Sequence, residues 1–189
     1  QMAQLCARYQ VRVISDEIHM DMVMGDAQHV PWSRVGQGRW ALFTSASKSF
    51  NVPGLTGAYG LISDEVDRDA WFQALKNADG LSSPALLAVA AHIAAYRHGA
   101  EWLDALRIYL RDNLHHVARR LNAAFPALNW QPPQATYLAW IDLNPLHIDE
   151  QRLQQVLTEQ YKVAIMPGST YGPQCRGWLR FNVGCPRSK

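Results

Sequence analysis

The sequence predicts an α/β protein, with part of a sheet domain followed by connecting helices and a smaller α+β lobe. Three observations carry this reading. Three short apolar runs, residues 11–15, 40–44 and 58–62, are too brief for helices and fit buried parallel strands. After Gly80 two longer stretches keep apolar residues at helical spacing. Beyond Pro133 short strands and a helix follow one another in the order of an α+β lobe.

Taken in order, residues 2–9 read as the end of a helix, and residues 11–15 as the first strand. A polar stretch containing Pro31 and Gly36 leads to the second strand, and the loop 51–57 to the third. Residues 64–77 form a helix with Trp71, Phe72 and Leu75 on its apolar side, closed by Gly80. Ser83 and Pro84 read as the next helix start, a capping hydroxyl followed by proline at the first helical position. That helix ends at His98 and Gly99. In the longer one that follows, Leu103, Leu106, Leu110, Val117 and Leu121 keep one stripe until Pro126. A strand over 136–143, a helix opened by Asp149 and strands near Val163 and Trp178 complete the chain. The expected division is 1–80 for the sheet domain, 81–125 for connecting helices that hinge the two parts, and 126–189 for the small lobe.

Composition narrows the function classes. A chain of 189 residues with 48% hydrophobic and 18% charged residues can bury a real core as one domain or parts of two. A net charge of +2 without a Lys/Arg run gives no reason to expect a nucleic-acid or anionic-membrane partner. No apolar stretch approaches the roughly 20 residues of a membrane span, and the N-terminus lacks a signal-peptide layout, so a cytoplasmic protein is expected. Cys6, Cys175 and Cys185 form no CxxC pair and are odd in number, which argues against a disulfide framework and a zinc site. His115 and His116 are helix neighbours that point in different directions, so no metal is expected there either.

Ligands of open parallel sheets sit beyond the carboxyl ends of the strands. The first strand ends in Ser15-Asp16-Glu17-Ile18-His19 and the second in Ser45-Ala46-Ser47-Lys48, so an acid, a histidine and a lysine converge on one rim. Singly, Asp16 would be a helix cap, His19 a polar rim residue and Lys48 a solvated lysine. Together they meet the needs of pyridoxal 5'-phosphate: an amine for the aldehyde, a carboxylate that keeps the ring nitrogen protonated, and donors for the phosphate.

The runs Asp16-Glu17-Ile18-His19, Ser45-Ala46-Ser47-Lys48-Ser49-Phe50-Asn51 and Arg180-Phe181-Asn182-Val183-Gly184 resemble the fold-type I aminotransferase superfamily. Within it the chain is similar to the carbon–sulfur β-lyase branch, which holds cystathionine β-lyases and a modulator of the maltose regulon. The likeness covers essentially the whole chain, including 81–94, 103–114 and Pro167-Gly168. It implies that Lys48 is the Schiff-base lysine and the base for the substrate Cα proton, and that Asp16 pairs with the pyridine nitrogen. It implies phosphate binding by Ser45 and Ser47, and an α-carboxylate held by Arg180, a planar bidentate donor. His19 stands where many relatives carry a tyrosine near the ring's phenolic oxygen. Tyr137 could approach substrate or pack the core, and Pro167-Gly168 with Tyr171 resembles a loop near the family's active site or is a mere turn.

One departure bears on the reaction. Aminotransferases usually carry a phosphate-gripping arginine eight residues after the lysine, and this chain has Thr56. The resemblance with that departure implies a lyase that cleaves cystathionine or related cysteine S-conjugates to thiol, pyruvate and ammonia. The alternatives are an aminotransferase and a regulatory protein that binds a transcriptional activator. The resemblance also implies a homodimer and a C-terminal half: the other half would bring the ring that stacks on the cofactor and further phosphate donors. Relatives continue into a final helix after Pro186-Arg187-Ser188-Lys189, and the isolated chain should be a poor enzyme.

Overall fold

Two three-stranded sheets organise the chain, and the computed structural model describes residues 1–81 and 83–187. Ser188 and Lys189 of the terminal run lie outside the described residues. The chain divides into two compact units, Gln1–Ala105 and Leu106–Lys189.

In the first unit helix α1 (Met2–Arg8) precedes strand β1 (Val13–Asp16), a short α2 (Trp32–Val35), β2 (Trp40–Thr44), the one-turn α3 (Ala46–Ser49) and β3 (Tyr59–Ile62). β1 pairs parallel with β2, Ile14 facing Ala41 and Asp16 facing Phe43. β3 pairs antiparallel with β2, a correction to the expected all-parallel arrangement. The connection from β2 to β3 holds only the four-residue α3, too little helix to carry the chain back along the sheet, so it reverses at the strand end. Asn51 supports this reversal with φ of +53°. The strands are also less buried than their apolar runs suggest. Leu42 is enclosed, while Ile14 keeps 77% exposure and Leu61 49% among the described residues.

Helix α4 (Glu65–Gln73) starts where Asp64 accepts the Asp67 amide, and its last turn widens into a π-helix over Ala74–Ala78. Trp71 packs on Phe43 at 5.7 Å between ring centres, whereas Phe72 is half exposed rather than part of an apolar seam. Helix α5 runs Leu86–His98 and stops at Gly99 as expected, but Ser83 does not cap it. Ala85 remains extended (φ −61°, ψ 124°), so helical backbone begins only after it.

Helix α6 (Ala100–Ala124) follows. In the second unit β4 (Leu138–Asp142), α7 (Glu150–Glu159), β5 (Met166–Pro167) and β6 (Trp178–Asn182) complete the fold, in sheet order β4-β6-β5, all antiparallel. Strand β4 starts later than expected because Thr136 holds φ of +67°, a left-handed conformation no ladder continues. The strand expected near Val163 is found at Met166, the first residue with a partner on β6. Asp149 caps α7 by accepting the Arg152 amide at 2.7 Å. The core is Leu114 and Ala118 of α6, Trp130, Ala139 and Ile141 of β4, Leu179 of β6, and Val183. Trp130 is buried in this core and donates its indole N–H to Trp140 O at 2.8 Å.

Candidate active site

The rim of the first sheet is built by continuing the β1–β2 pairing past the strand ends. Glu17 N donates to Phe43 O at 2.8 Å, and Thr44 Oγ1 donates to Glu17 O at 3.1 Å. These two bonds hold residues 16–19 beside residues 44–48. Asp16 Oδ1 accepts the Ile18 amide at 3.1 Å, an Asx turn that redirects the chain toward His19 and leaves the carboxylate exposed. His19 is half-buried, and its pKa is lowered by burial and by the Lys48 ammonium, with Asp16 pulling the other way. Asp16 and Lys48 therefore both lie within electrostatic reach of the His19 ring.

Ser45 is the N-cap of α3. Its buried hydroxyl accepts the Ser47 amide at 3.1 Å and donates to Gly57 O at 2.6 Å, with His92 Nε2 at 3.2 Å. Its only proton is therefore used inside the protein. Ser47 and Thr56 line a cleft of about 530 Å³ together with Ser45, Ile18, Gly57 and Tyr59. Lys48, on the last turn of α3, is exposed and has neither a hydrogen bond nor an ion pair among the described residues.

Glu17, invisible as a functional residue in the sequence, anchors the following loop. Its buried carboxylate accepts from Ser15 Oγ at 3.0 Å, His29 Nε2 at 2.7 Å and the Trp32 amide at 2.7 Å. Burial pushes its pKa up, but the three donors and the His29 charge outweigh that and hold it below the ordinary value. Ser49 and Asp21 were equally unsignalled, because short polar residues beside a lysine or in a loop carry no periodic pattern. Ser49, fully buried, donates to Asp21 Oδ2 at 2.7 Å.

In the second unit Arg180 sits on β6 opposite Trp140 of β4, on the sheet side away from the core. Its guanidinium lies 5.0 Å from the centre of the Tyr171 ring and forms no ion pair among the described residues. Tyr137 packs against the core cluster beside Ala139, the side opposite Trp140 and Arg180, and burial raises its pKa. Pro167 belongs to β5, and Gly168 leads into the short turn that carries Tyr171. Asn113 of α6, also missed by the sequence, donates to Val183 O at 3.0 Å and Cys185 O at 3.1 Å and so fixes the chain after β6. No helix among the described residues is long and apolar enough to cross a membrane.

The chain is similar to known proteins over its whole length. The family described as aminotransferase class I and II matches residues 1–189. Protein MalY of Escherichia coli K12 is 66% identical over 188 residues, covering all of this chain and 48% of that protein. Cystathionine beta-lyase PatB of Bacillus subtilis is 33% identical over 187 residues, covering 97% of this chain and 48% of PatB. The PLP-bound C-S lyase of Staphylococcus hominis superposes with a TM-score of 0.89 at 30% identity, over 99% of this chain and 48% of that structure. The chain thus spans about half the length of the relatives it matches. The family match extends over the whole chain, and this chain belongs to the class I and II aminotransferase family.

Proposed function

We propose that this chain is the C-terminal half of a pyridoxal-phosphate carbon–sulfur β-lyase acting on cystathionine or similar cysteine S-conjugates. The observation that carries the reading is the placement of Lys48, which forms no ion pair among the described residues, within electrostatic reach of His19, as Asp16 also is, and next in sequence to Ser47 of a cleft that Thr56 also lines. That donor set fits the cofactor: a free amine, a carboxylate and hydroxyls. The 66% identity to MalY and the 33% identity to a cystathionine beta-lyase support the lyase over the aminotransferase reading, as does Thr56 where transaminases carry arginine.

When bound, pyridoxal phosphate supplies an aldehyde for amines and a ring that draws electrons from the substrate Cα. Lys48 Nζ would hold the cofactor and would be the base for the substrate Cα proton. Asp16 would pair with the ring nitrogen and favour its protonated form, and His19 would be a further polar group of the ring site. Ser47 would donate to the phosphate, while Ser45 fixes the turn that carries Ser47 and would be free to donate to a phosphate only by releasing Gly57 O. Arg180 holds the α-carboxylate through its planar fork. Residues 1–80 then belong to the cofactor domain, 81–125 to connecting helices and 126–189 to the small domain.

The assay is the full-length protein with cystathionine, and separately with an amino acid plus a keto acid. Pyruvate and thiol release far faster than amino transfer supports the lyase, and the reverse ranking makes it a transaminase. We read the protein as a cytoplasmic homodimer. Similarity to MalY keeps a second reading, binding of a transcriptional activator. A Lys48→Ala protein separates the two, since catalysis should vanish and a regulatory interaction should survive.

A further inference from the structure

We propose that Tyr171 is the positioning residue for Arg180, holding the guanidinium by its ring so that the in-plane donors stay available for a substrate carboxylate. The proposal rests on Arg180 as the carboxylate-binding residue. Arginine carries a long stem with much rotamer freedom, and free rotation would scatter the fork over many directions. Inside a protein the usual restraint is a carboxylate, which would neutralise the charge and compete with the substrate. Arg180 has no such partner among the described residues, and an aromatic ring 5.0 Å away takes its place. A ring attracts the cation through its quadrupole and consumes no carboxylate-binding site.

The ring is itself held. Tyr171 meets Trp140 edge-on at 5.4 Å and 82°, and Trp140 stacks on Trp178 at 5.7 Å and 18°. Trp140 is the register partner of Arg180, and Trp178 lies two residues before Arg180 on the same strand side. Four side chains therefore form one wall on the sheet side opposite the core. The backbone leading to Tyr171 is closely packed: a Cβ on Gly168 would collide with Cys175 O and with Trp178.

The test uses the full-length protein and compares Tyr171→Phe, Tyr171→Leu and Arg180→Ala. Leucine keeps apolar bulk without a π face, while phenylalanine keeps the π face. Readouts are kcat and KM for cystathionine and the inhibition constant of propionate, a bare carboxylate probe. Tyr171→Phe should match wild type. Tyr171→Leu should raise both KM and the propionate constant roughly 3- to 10-fold with kcat little changed, the range expected of a cation–π contact. Tyr171→Leu indistinguishable from Tyr171→Phe, with Arg180→Ala impaired, overturns the role of Tyr171 and leaves Arg180 in place. Arg180→Ala without effect on KM overturns both.

Discussion

Ser49 donates its hydroxyl proton to the Asp21 carboxylate at 2.7 Å, tying the end of the lysine-bearing helix α3 to the loop just after His19. Tyr96 OH reaches the same oxygen at 3.4 Å, and burial together with the Asp21 charge raises the tyrosine's pKa. The two segments that carry Lys48 and His19 are thereby fixed to one another inside the first unit. Ser49→Ala removes a fully buried donor to a charged group. We expect a loss of about 1.5–3 kcal/mol of unfolding free energy, read from urea denaturation of the full-length protein. A change within error would mean that the Ser49 bond is not needed to hold Asp21.

Lys48 is the expected point of cofactor attachment. Borohydride reduction of the full-length protein with pyridoxal phosphate, followed by peptide mapping, should place the pyridoxyl group on Lys48. Labelling of Lys76 or Lys162 in its place would remove the site from the rim of the first sheet.

Arg180→Lys keeps the charge and loses the planar fork. Cofactor should remain bound, by its absorbance, while kcat/KM for cystathionine falls by on the order of 2–4 kcal/mol of transition-state stabilisation. An unchanged kcat/KM would put the carboxylate elsewhere.

Glu17 gives a prediction for acid. Its folded carboxyl lies below the ordinary value of 4.5, because the His29, Trp32 and Ser15 donors outweigh the cost of burial. A depressed carboxyl contributes stability that is complete above the unfolded pKa and lost as pH falls through the folded one. The difference in urea midpoint between wild type and Glu17→Gln should therefore be full at pH 7 and shrink progressively below 4.5. A difference independent of pH would mean that only shape, not charge, matters at this position.

Much of the fold was legible because its signals are local. Asp149 before an amphipathic run announced helix α7, Gly99 ended α5, and Pro126 follows the close of α6. Where the reading slipped, a neighbouring element decided. Strand β4 begins at Leu138, where pairing with Asn182 begins, and β5 lies where Arg180 offers a partner, so neither boundary is written in its own residues. Ser83 has the right chemistry for a cap, yet extended backbone at Ala85 delays the helix.

By itself the sequence determined the α/β class and the family resemblance, and it singled out Asp16, His19, Ser47, Lys48 and Arg180 as the residues proposed to carry the chemistry. These depend on residue type, order and short-range spacing, which a one-dimensional string records. Only the tertiary structure decided that Ser45 spends its hydroxyl on Gly57, that Glu17 and Asp21 anchor the rim, and that Tyr137 packs the core. The same holds for Tyr171, which faces Arg180. The physical reason is that a hydrogen bond or a ring contact requires two groups within a few ångströms at a definite angle, and the partners here are separated along the chain. Glu17 finds Trp32, Asp21 finds Ser49, and Arg180 finds Tyr171 only after the strands have paired.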